Sequence, residues 1–328
     1  MSTEINLNAG AIVAVEKSAI TEKKLGDELI SRWVSFVDRT PSTAKAYTVA
    51  VKRFYSYLNR NSISQPTRQD IINYRDEMTA SLKPASVKLN LNAIKLFFRW
   101  LASEGFIPSD ISANIHTPRI DNTVHSRDAL SSTDAVSVLN AMPNDDSEKS
   151  LRDKCIMALM FCCGLRSVEV TRLDVADVEK RGKKYFLRVW GKGRAGKIDN
   201  VVLPLKVYEL IQKYLAVRTL RGNVNTKAPL FVSTSRRCTN ARLETQTVSR
   251  LAKASLRKAG YDSERLTCHS CRHTFANVAL NAGVTVRDIQ KTLRHMSTTT
   301  TEIYLHDAEI MNNASTAIVA DTILGGVI

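Results

Sequence analysis

Residues 184–205 read Lys-Tyr-Phe-Leu-Arg-Val-Trp-Gly-Lys-Gly-Arg-Ala-Gly-Lys-Ile-Asp-Asn-Val-Val-Leu-Pro-Leu, and they decide the fold class. Tyr185, Leu187 and Val189 recur at every second position, the period of a strand and not of a helix. The glycine-rich run Gly191-Lys192-Gly193-Arg194-Ala195-Gly196-Lys197 then turns the chain, and Val201, Val202 and Leu203 follow as a second apolar run. The pattern predicts a β-hairpin with a basic tip. Residues 180–197 carry eight cations: Lys180, Arg181, Lys183, Lys184, Arg188, Lys192, Arg194 and Lys197. Most of the remaining sequence reads as helix, so the chain is expected to be mainly α with a small antiparallel β-sheet.

Upstream, Leu151 to Leu165 is strongly apolar and predicts a buried helix, and Leu130 to Asp134 opens another helical stretch. Residues 114–127 lack hydrophobic periodicity and read as an extended linker between domains. Before them, Pro41-Ser42-Thr43 starts a helix on which Tyr47, Val51, Phe54, Tyr55 and Leu58 recur at helical spacing. Thr67 with Asp70 resembles a capping box, and Pro84 suits the first turn of a third helix. On that third helix Val87, Leu91, Ile94, Phe98 and Leu101 form an apolar stripe, with Lys88, Asn92, Lys95 and Arg99 beside it in parallel steps. The polar stripe is either a solvated surface or a face laid in a DNA major groove, where Lys and Arg meet phosphates and Asn92 reaches an adenine edge.

The chain has 328 residues with 44% hydrophobic content, which suits two domains and two cores. Its formal net charge is +15, of which residues 1–118 hold +4 and the remainder +11. Such an excess points to an acidic partner, nucleic acid or an anionic membrane surface. No apolar run approaches the roughly 20 residues of a membrane span. The apolar run Ala9 to Val15 is short and flanked by Glu4 and Glu16, unlike a signal peptide. Six unevenly spaced cysteines suggest reduced thiols in a cytosolic protein.

The chemistry-bearing residues are Arg166, His269, Arg272, His295 and Tyr304, with Lys192 on the hairpin. Arginines neutralise a phosphate, histidines move protons, and a tyrosine attacks phosphorus and holds it covalently, all without a metal. Each residue also has a plainer explanation. Arg166 is either such a clamp, presented inward by the turn that Gly164 allows, or a surface residue or structural ion pair with Glu169. His269 and Arg272 share a helix face at i, i+3. The Cys268/Cys271 spacing invites zinc, but no second CxxC or HxxxH accompanies it, and a buried reduced pair fits better. Tyr304 alone is a core ring; the ordered set in a basic protein is harder to set aside.

The motifs Cys-Gly-Leu-Arg-Ser-Val-Glu-Val at 163–170, Gly-Lys-Gly at 191–193, His-Ser-Cys-Arg-His at 269–273, Leu-Arg-His at 293–295 and Ile-Tyr-Leu-His at 303–306 together resemble the tyrosine recombinases, the lambda-integrase and Xer-like family. Two positions depart from the common pattern: Arg294, where many relatives carry glycine, and Cys271, where leucine is common. The resemblance implies a flexible arm over 1–24, a helical core-binding domain over 25–113, the linker 114–127, a mixed catalytic domain over 128–310 and a subunit-exchange tail over 311–328. It implies that Tyr304 attacks the scissile phosphate to form a 3′-phosphotyrosyl bond, and that Arg166 and Arg272 clamp the nonbridging oxygens. Lys192 would protonate the leaving 5′-oxygen, with Lys197 as the fallback. His269 would assist proton transfer, His295 would donate to the phosphate, and Glu169 would buttress the site. Arg194 and Lys197 join the α-helical stripe as DNA contacts.

The implied protein is a cytoplasmic, nucleoid-associated site-specific recombinase of a mobile element. It would need no cofactor or metal and would act as a homotetramer on two double-stranded DNA sites, with accessory DNA-binding proteins as further partners. Two rivals stand beside it: a type IB topoisomerase-like relaxing enzyme, and a catalytically inactive DNA-binding regulator. A membrane-surface protein is disfavoured, because no lipid-binding amphipathic helix stands out.

Overall fold

In the computed structural model of the chain, the described residues are 22–37, 39–119, 128–191, 196–197, 199–220, 222 and 224–294; for 22–27 the backbone alone is described. The chain divides into two compact units between Asp121 and Asn122. His295, Tyr304, Lys192, Arg194, the arm before Glu22 and the tail 311–328 lie outside the described residues. Among the described residues no helix is long and apolar enough to cross a membrane.

The first unit holds four helices: α1 (Glu22–Phe36), α2 (Pro41–Arg60), α3 (Arg68–Ser81) and α4 (Pro84–Ser103). Proline sits in the first turn of α2 and of α4, where its missing N–H costs nothing. The expected box starts α3: Thr67 N–H donates to Asp70 Oδ2 at 2.7 Å, and Asp70 N–H donates back to Thr67 Oγ1 at 3.4 Å. All five residues of the predicted apolar stripe on α4 are buried, and so are Ala93, Phe97 and Trp100, so the core-facing side is wider than one stripe. Their partners are aromatic. Trp33 of α1 meets Phe97 edge-on at 5.3 Å, and Phe54 of α2 meets Phe98 edge-on at 5.9 Å, the geometry that ring quadrupoles favour. Helix α1 begins within the stretch expected to be arm; its Ile30 and Trp33 are buried, as is Val37 just after it. Ile115 also belongs to this core at 3% exposure, so the chain is still anchored one residue into the expected linker.

The second unit runs α5 (Ser132–Ala141), α6 (Glu148–Cys162), α7 (Ser167–Thr171), β1 (Val178–Arg181), β2 (Lys184–Val189), β3 (Asp199–Leu203), α8 (Leu205–Thr219), α9 (Thr245–Lys258), α10 (Cys268–Asn281) and α11 (Val286–Leu293). The predicted hairpin is β2 against β3, antiparallel, pairing Tyr185 with Leu203 and Leu187 with Val201. Leu187, Val189, Val201 and Leu203 face the core, whereas Val202 points out at 60% exposure, as strand alternation demands. A third strand, β1, joins through a two-residue turn at Gly182 and Lys183, where Gly182 supplies the positive φ of 59°. Helix α6 is the centre of this unit, with Ile156, Met157, Leu159 and Met160 fully buried among residues of the sheet and of α8, α9 and α10. The described fold is thus mainly helical with one small antiparallel sheet.

Candidate active site

Helix α6 ends at Cys162, and the chain then turns sharply through Gly164, whose φ is 59°. Glycine is needed there twice over. An L side chain is strained at this φ, and a Cβ would stand 2.5 Å from Leu293 Cδ2 and 3.1 Å from Phe275 Cδ1. The turn leaves Arg166 in extended backbone as the N-cap of α7. One helical turn later Glu169 reaches back and is completely buried, with 0% side-chain exposure.

Glu169 is the hub. Its Oε1 accepts from Arg166 Nη1 at 2.8 Å and from Arg294 Nε at 3.4 Å. Its Oε2 accepts from the Arg166 backbone N–H at 2.8 Å and from Arg294 Nη2 at 2.6 Å. Arg272 Nη1 stands 3.8 Å from Oε2, outside hydrogen-bond range. Burial pulls Glu169 toward its neutral form. The Arg294 charge and hydrogen bond, the Arg166 N–H and the Arg272 charge outweigh it and hold the carboxyl below its ordinary range.

Arg272 lies on the second turn of α10 and is 4% exposed. Its Nη1 donates to the Gly164 carbonyl at 2.6 Å and its Nη2 donates to the Leu293 carbonyl. Two backbone oxygens thus aim the fork, one from the α6–α7 turn and one from the end of α11. His269 occupies the same helix three residues earlier, half-buried. The first turn of α10 is fixed by Ser270, whose Oγ accepts from Thr267 N–H at 3.0 Å and donates to the Arg265 carbonyl at 3.3 Å. Cys271 is fully buried and Cys163 nearly so; burial raises both thiols, Cys163 to about 12, so neither supplies a thiolate near neutral pH.

The structure therefore brings Arg166, Arg272 and Glu169 together, with Arg294 as a fourth member that the sequence reading passes over as a flanking departure. The ion pair of Arg166 with Glu169 is present, and it lies within the cluster. Three guanidiniums around one carboxylate leave surplus positive charge in a poorly solvated place, which is what an anionic phosphodiester requires.

Lys197 is otherwise engaged. Its ammonium contacts Asp174 and lies 2.5 Å from Asp177 Oδ2, and Asp174 also binds Arg242. An ammonium held by two carboxylates is poorly placed to reach a leaving oxygen, which weighs against Lys197 as the acid and as a DNA contact. Lys180 lies over the Tyr185 ring, Arg181 pairs with Glu179, and Arg188 approaches Asp177 at 3.5 Å, while Lys183 and Lys184 are exposed. Of the eight cations over 180–197, Lys180, Arg181, Arg188 and Lys197 thus have partners within the protein, and Lys192 and Arg194 at the tip lie outside the described residues. On α4, Asn92 and Arg99 are exposed and Lys88 is half-buried. Lys95 differs from the expected phosphate contact, because its Nζ donates to the Ile115 carbonyl at 2.9 Å and holds the end of the first unit.

A helical unit followed by a mixed unit with arginines around a buried carboxylate is an arrangement suited to an anionic phosphodiester. The Phage integrase family matches residues 129–310, and the phage integrase N-terminal SAM-like domain matches residues 33–106. The chain belongs to the phage integrase family: it is a site-specific tyrosine recombinase, an enzyme that cleaves and rejoins DNA strands. A tyrosine recombinase XerC of Chlorobaculum tepidum is 29% identical over 294 residues, covering 80% of this chain and 84% of the relative. Among solved structures, the XerH site-specific recombinase bound to palindromic difH substrate in a post-cleavage complex superimposes with a TM-score of 0.70 at 19% identity, covering 89% of this chain and 84% of that one. A lambda integrase tetramer bound to a Holliday junction gives 0.63 at 17% identity, covering 89% and 82%. Both structural likenesses are likenesses of fold. The relatives favour a recombinase over the topoisomerase and inactive-regulator alternatives.

Proposed function

We propose that the chain exchanges strands through a 3′-phosphotyrosyl intermediate on Tyr304. Arg166 and Arg272 clamp the scissile phosphate, and Lys192 protonates the 5′-oxygen as it leaves. His269 assists proton transfer at the nucleophile, and His295 donates a hydrogen bond to the phosphate. The convergence of Arg166 and Arg272 on one buried carboxylate carries this assignment. A phenol with an ordinary pKa near 10 is protonated at neutral pH, so its attack needs help with the proton and a positive field around phosphorus. Fixed donors aimed at the developing charge supply that field, and losing one typically costs about 10²–10³ in rate. The ester conserves the bond energy, so religation needs no ATP.

The same proposal extends to assembly. The lambda integrase tetramer on a Holliday junction supports a homotetramer on two duplexes, with residues 311–328 docking on a neighbouring subunit and the first unit contributing Lys88, Asn92 and Arg99 to DNA. The chain would act in the cytoplasm on nucleoid DNA, with accessory DNA-binding proteins setting direction. The test uses a nicked duplex selected from a random-sequence library for binding the chain, run on a denaturing gel. A covalent protein–DNA adduct that disappears in Tyr304→Phe supports the proposal. An adduct that survives the substitution places the nucleophile elsewhere.

A further inference from the structure

Arg294 occupies a backbone conformation that favours glycine. Its φ of 55° and ψ of 44° are left-handed, and it ends α11 immediately before His295 in the chain. A bulky residue held in this conformation costs free energy that the surroundings must offset. Its contacts show the compensation. The guanidinium grips both oxygens of Glu169 side-on, 125 residues away in sequence, and its Nη1 donates to the Thr292 carbonyl at 2.6 Å. The side chain is only 7% exposed, so it is not itself open to a bulky ligand.

The placement has an electrostatic consequence. A fully buried carboxylate attracts the nearest cations strongly, because little water screens it. Without Arg294, the cation nearest to the open side of Oε2 is Arg272, already at 3.8 Å. Contact with Glu169 would turn that fork away from the carbonyls of Gly164 and Leu293 that aim it. It would also cancel much of the positive field of the pair. With Arg294 present, Oε2 is occupied at 2.6 Å and the carboxylate charge is neutralised locally.

We propose that Arg294 is a positioning residue of the recombination site: by holding both oxygens of Glu169 it keeps that buried charge from capturing Arg272, so that Arg272 stays aimed and the cluster keeps its surplus positive charge for the scissile phosphate. The inference rests on the clamp role given to Arg166 and Arg272 above. It makes Arg294 part of the phosphate-recognition apparatus without contact to DNA, at a position where the chain departs from the glycine of many relatives.

Arg294→Gly is the decisive variant, since glycine accepts the local φ without strain. Single-turnover formation of the phosphotyrosyl adduct is measured on a nicked duplex carrying either the normal phosphodiester or a neutral methylphosphonate at the cleaved position. The expected result is an adduct rate about tenfold to hundredfold lower on the phosphodiester, with a deficit below about threefold on the methylphosphonate, whose missing charge removes the need for the field. Arg294→Lys keeps the charge but lacks the two-point grip, and an intermediate rate is expected. Glu169 loses its strongest counter-charge in Arg294→Gly and should take up a proton at higher pH than in the wild type; since the neutral acid no longer attracts Arg272, the deficit of the variant should narrow as pH falls. A wild-type rate on the phosphodiester, or an equal deficit on both substrates, overturns the proposal; the latter would mean a role in folding alone. Arg166→Ala separates the two levels. If it forms adduct at the wild-type rate, the clamp assignment itself has failed; if it loses adduct while Arg294→Gly does not, only the role of Arg294 has.

Discussion

Among the carboxylate-centred clusters described in the second unit, the one at Glu169 and the one at Asp174, Asp177 and Glu179 differ in balance and in depth. Around Glu169, three arginines face one acid, and side-chain exposures run from 0% for Glu169 to 19% for Arg166. Around Asp174, Asp177 and Glu179, the cations Lys197, Arg242, Arg188 and Arg181 answer three acids, and exposures reach 48% at Arg181. The second cluster has the smaller surplus and, Asp177 apart, is the wetter, so it ties the base of the β2–β3 hairpin to the segment before β1 and projects less field. The first cluster is unbalanced where water is scarce, so its surplus charge is felt. A tether and a phosphate site use the same residue types; surplus and burial separate them.

The contrast predicts unequal costs when the acid is removed. Glu169→Ala leaves three clustered guanidiniums without a counter-charge, and breaking a buried pair in this way typically costs about 3–5 kcal/mol. Asp174→Ala, in the wetter cluster, is expected to cost about 1 kcal/mol or less. Urea unfolding of both variants measures the difference, and equal shifts in midpoint would erase the distinction drawn between the clusters. Gly164→Ala comes next. The positive φ and the 2.5 Å approach to Leu293 Cδ2 both oppose a methyl group. The expected loss is about 2–4 kcal/mol from backbone strain and overpacking together. A loss under about 1 kcal/mol would mean that Leu293 yields easily, and the arginine fork with it.

How far these features could be read beforehand follows from the distances over which they are determined. Pro41, Thr67 with Asp70, and Pro84 marked the starts of α2, α3 and α4 because caps act within one helical turn. The hairpin was legible because Leu187, Val189, Val201 and Leu203 have the strand period on a buried face. Strand β1 was not, since Val178-Glu179-Lys180-Arg181 is mostly charged and is a strand only because β2 pairs with it. Gly164 and Arg166 were legible as a turn and an inward arginine. Arg294 was not legible as a partner of Glu169, because nothing local links positions so far apart in the chain. Lys95 misled for the same reason: its periodicity matches the exposed stripe, yet a carbonyl twenty residues on takes its ammonium.

Acid titration sharpens the comparison further. Glu169 and Asp174 both have carboxyls held below their ordinary range. For Glu169 burial opposes the shift and Arg294 outweighs it; for Asp174 burial again opposes it, and the Arg242 and Lys197 contacts prevail. A carboxyl depressed in the folded state contributes stability that is fully present above its unfolded value, roughly pH 4. That contribution is lost as pH falls from there through the folded value. Stability should therefore decline below about pH 4, with a part that salt screens and a part that it does not. Unfolding midpoints between pH 3 and 7 at low and high salt resolve the two. Asp174→Asn should flatten the decline at low salt alone, and Glu169→Gln at both. A Glu169 contribution that vanished in salt would place that carboxylate in contact with solvent.

The smallest effect is expected at Lys197, and it bears on which ammonium serves as the acid. Lys197 is 21% exposed and spans Asp174 and Asp177, of which Asp177 is nearly fully buried. Removing the ammonium leaves Asp177 with the Asp174 N–H at 2.7 Å and with Arg188 nearby, so the carboxylate is not stranded. Lys197→Ala should accordingly cost about 1 kcal/mol, below the roughly 3–5 kcal/mol of breaking a buried pair, because the remaining carboxylate keeps other partners. If its role is to tether the hairpin base, the adduct rate on a nicked duplex should fall by less than about fivefold. A 5′-bridging phosphorothioate, whose sulfur leaves without protonation, distinguishes tether from acid. Loss of a general acid typically costs about 10²–10⁴ and is relieved when the leaving group needs no proton. That relief is expected in Lys192→Ala. Finding it in Lys197→Ala instead would mean that the Asp174–Asp177 clasp opens during cleavage, and that this cluster takes part in the chemistry as well as tethering the hairpin.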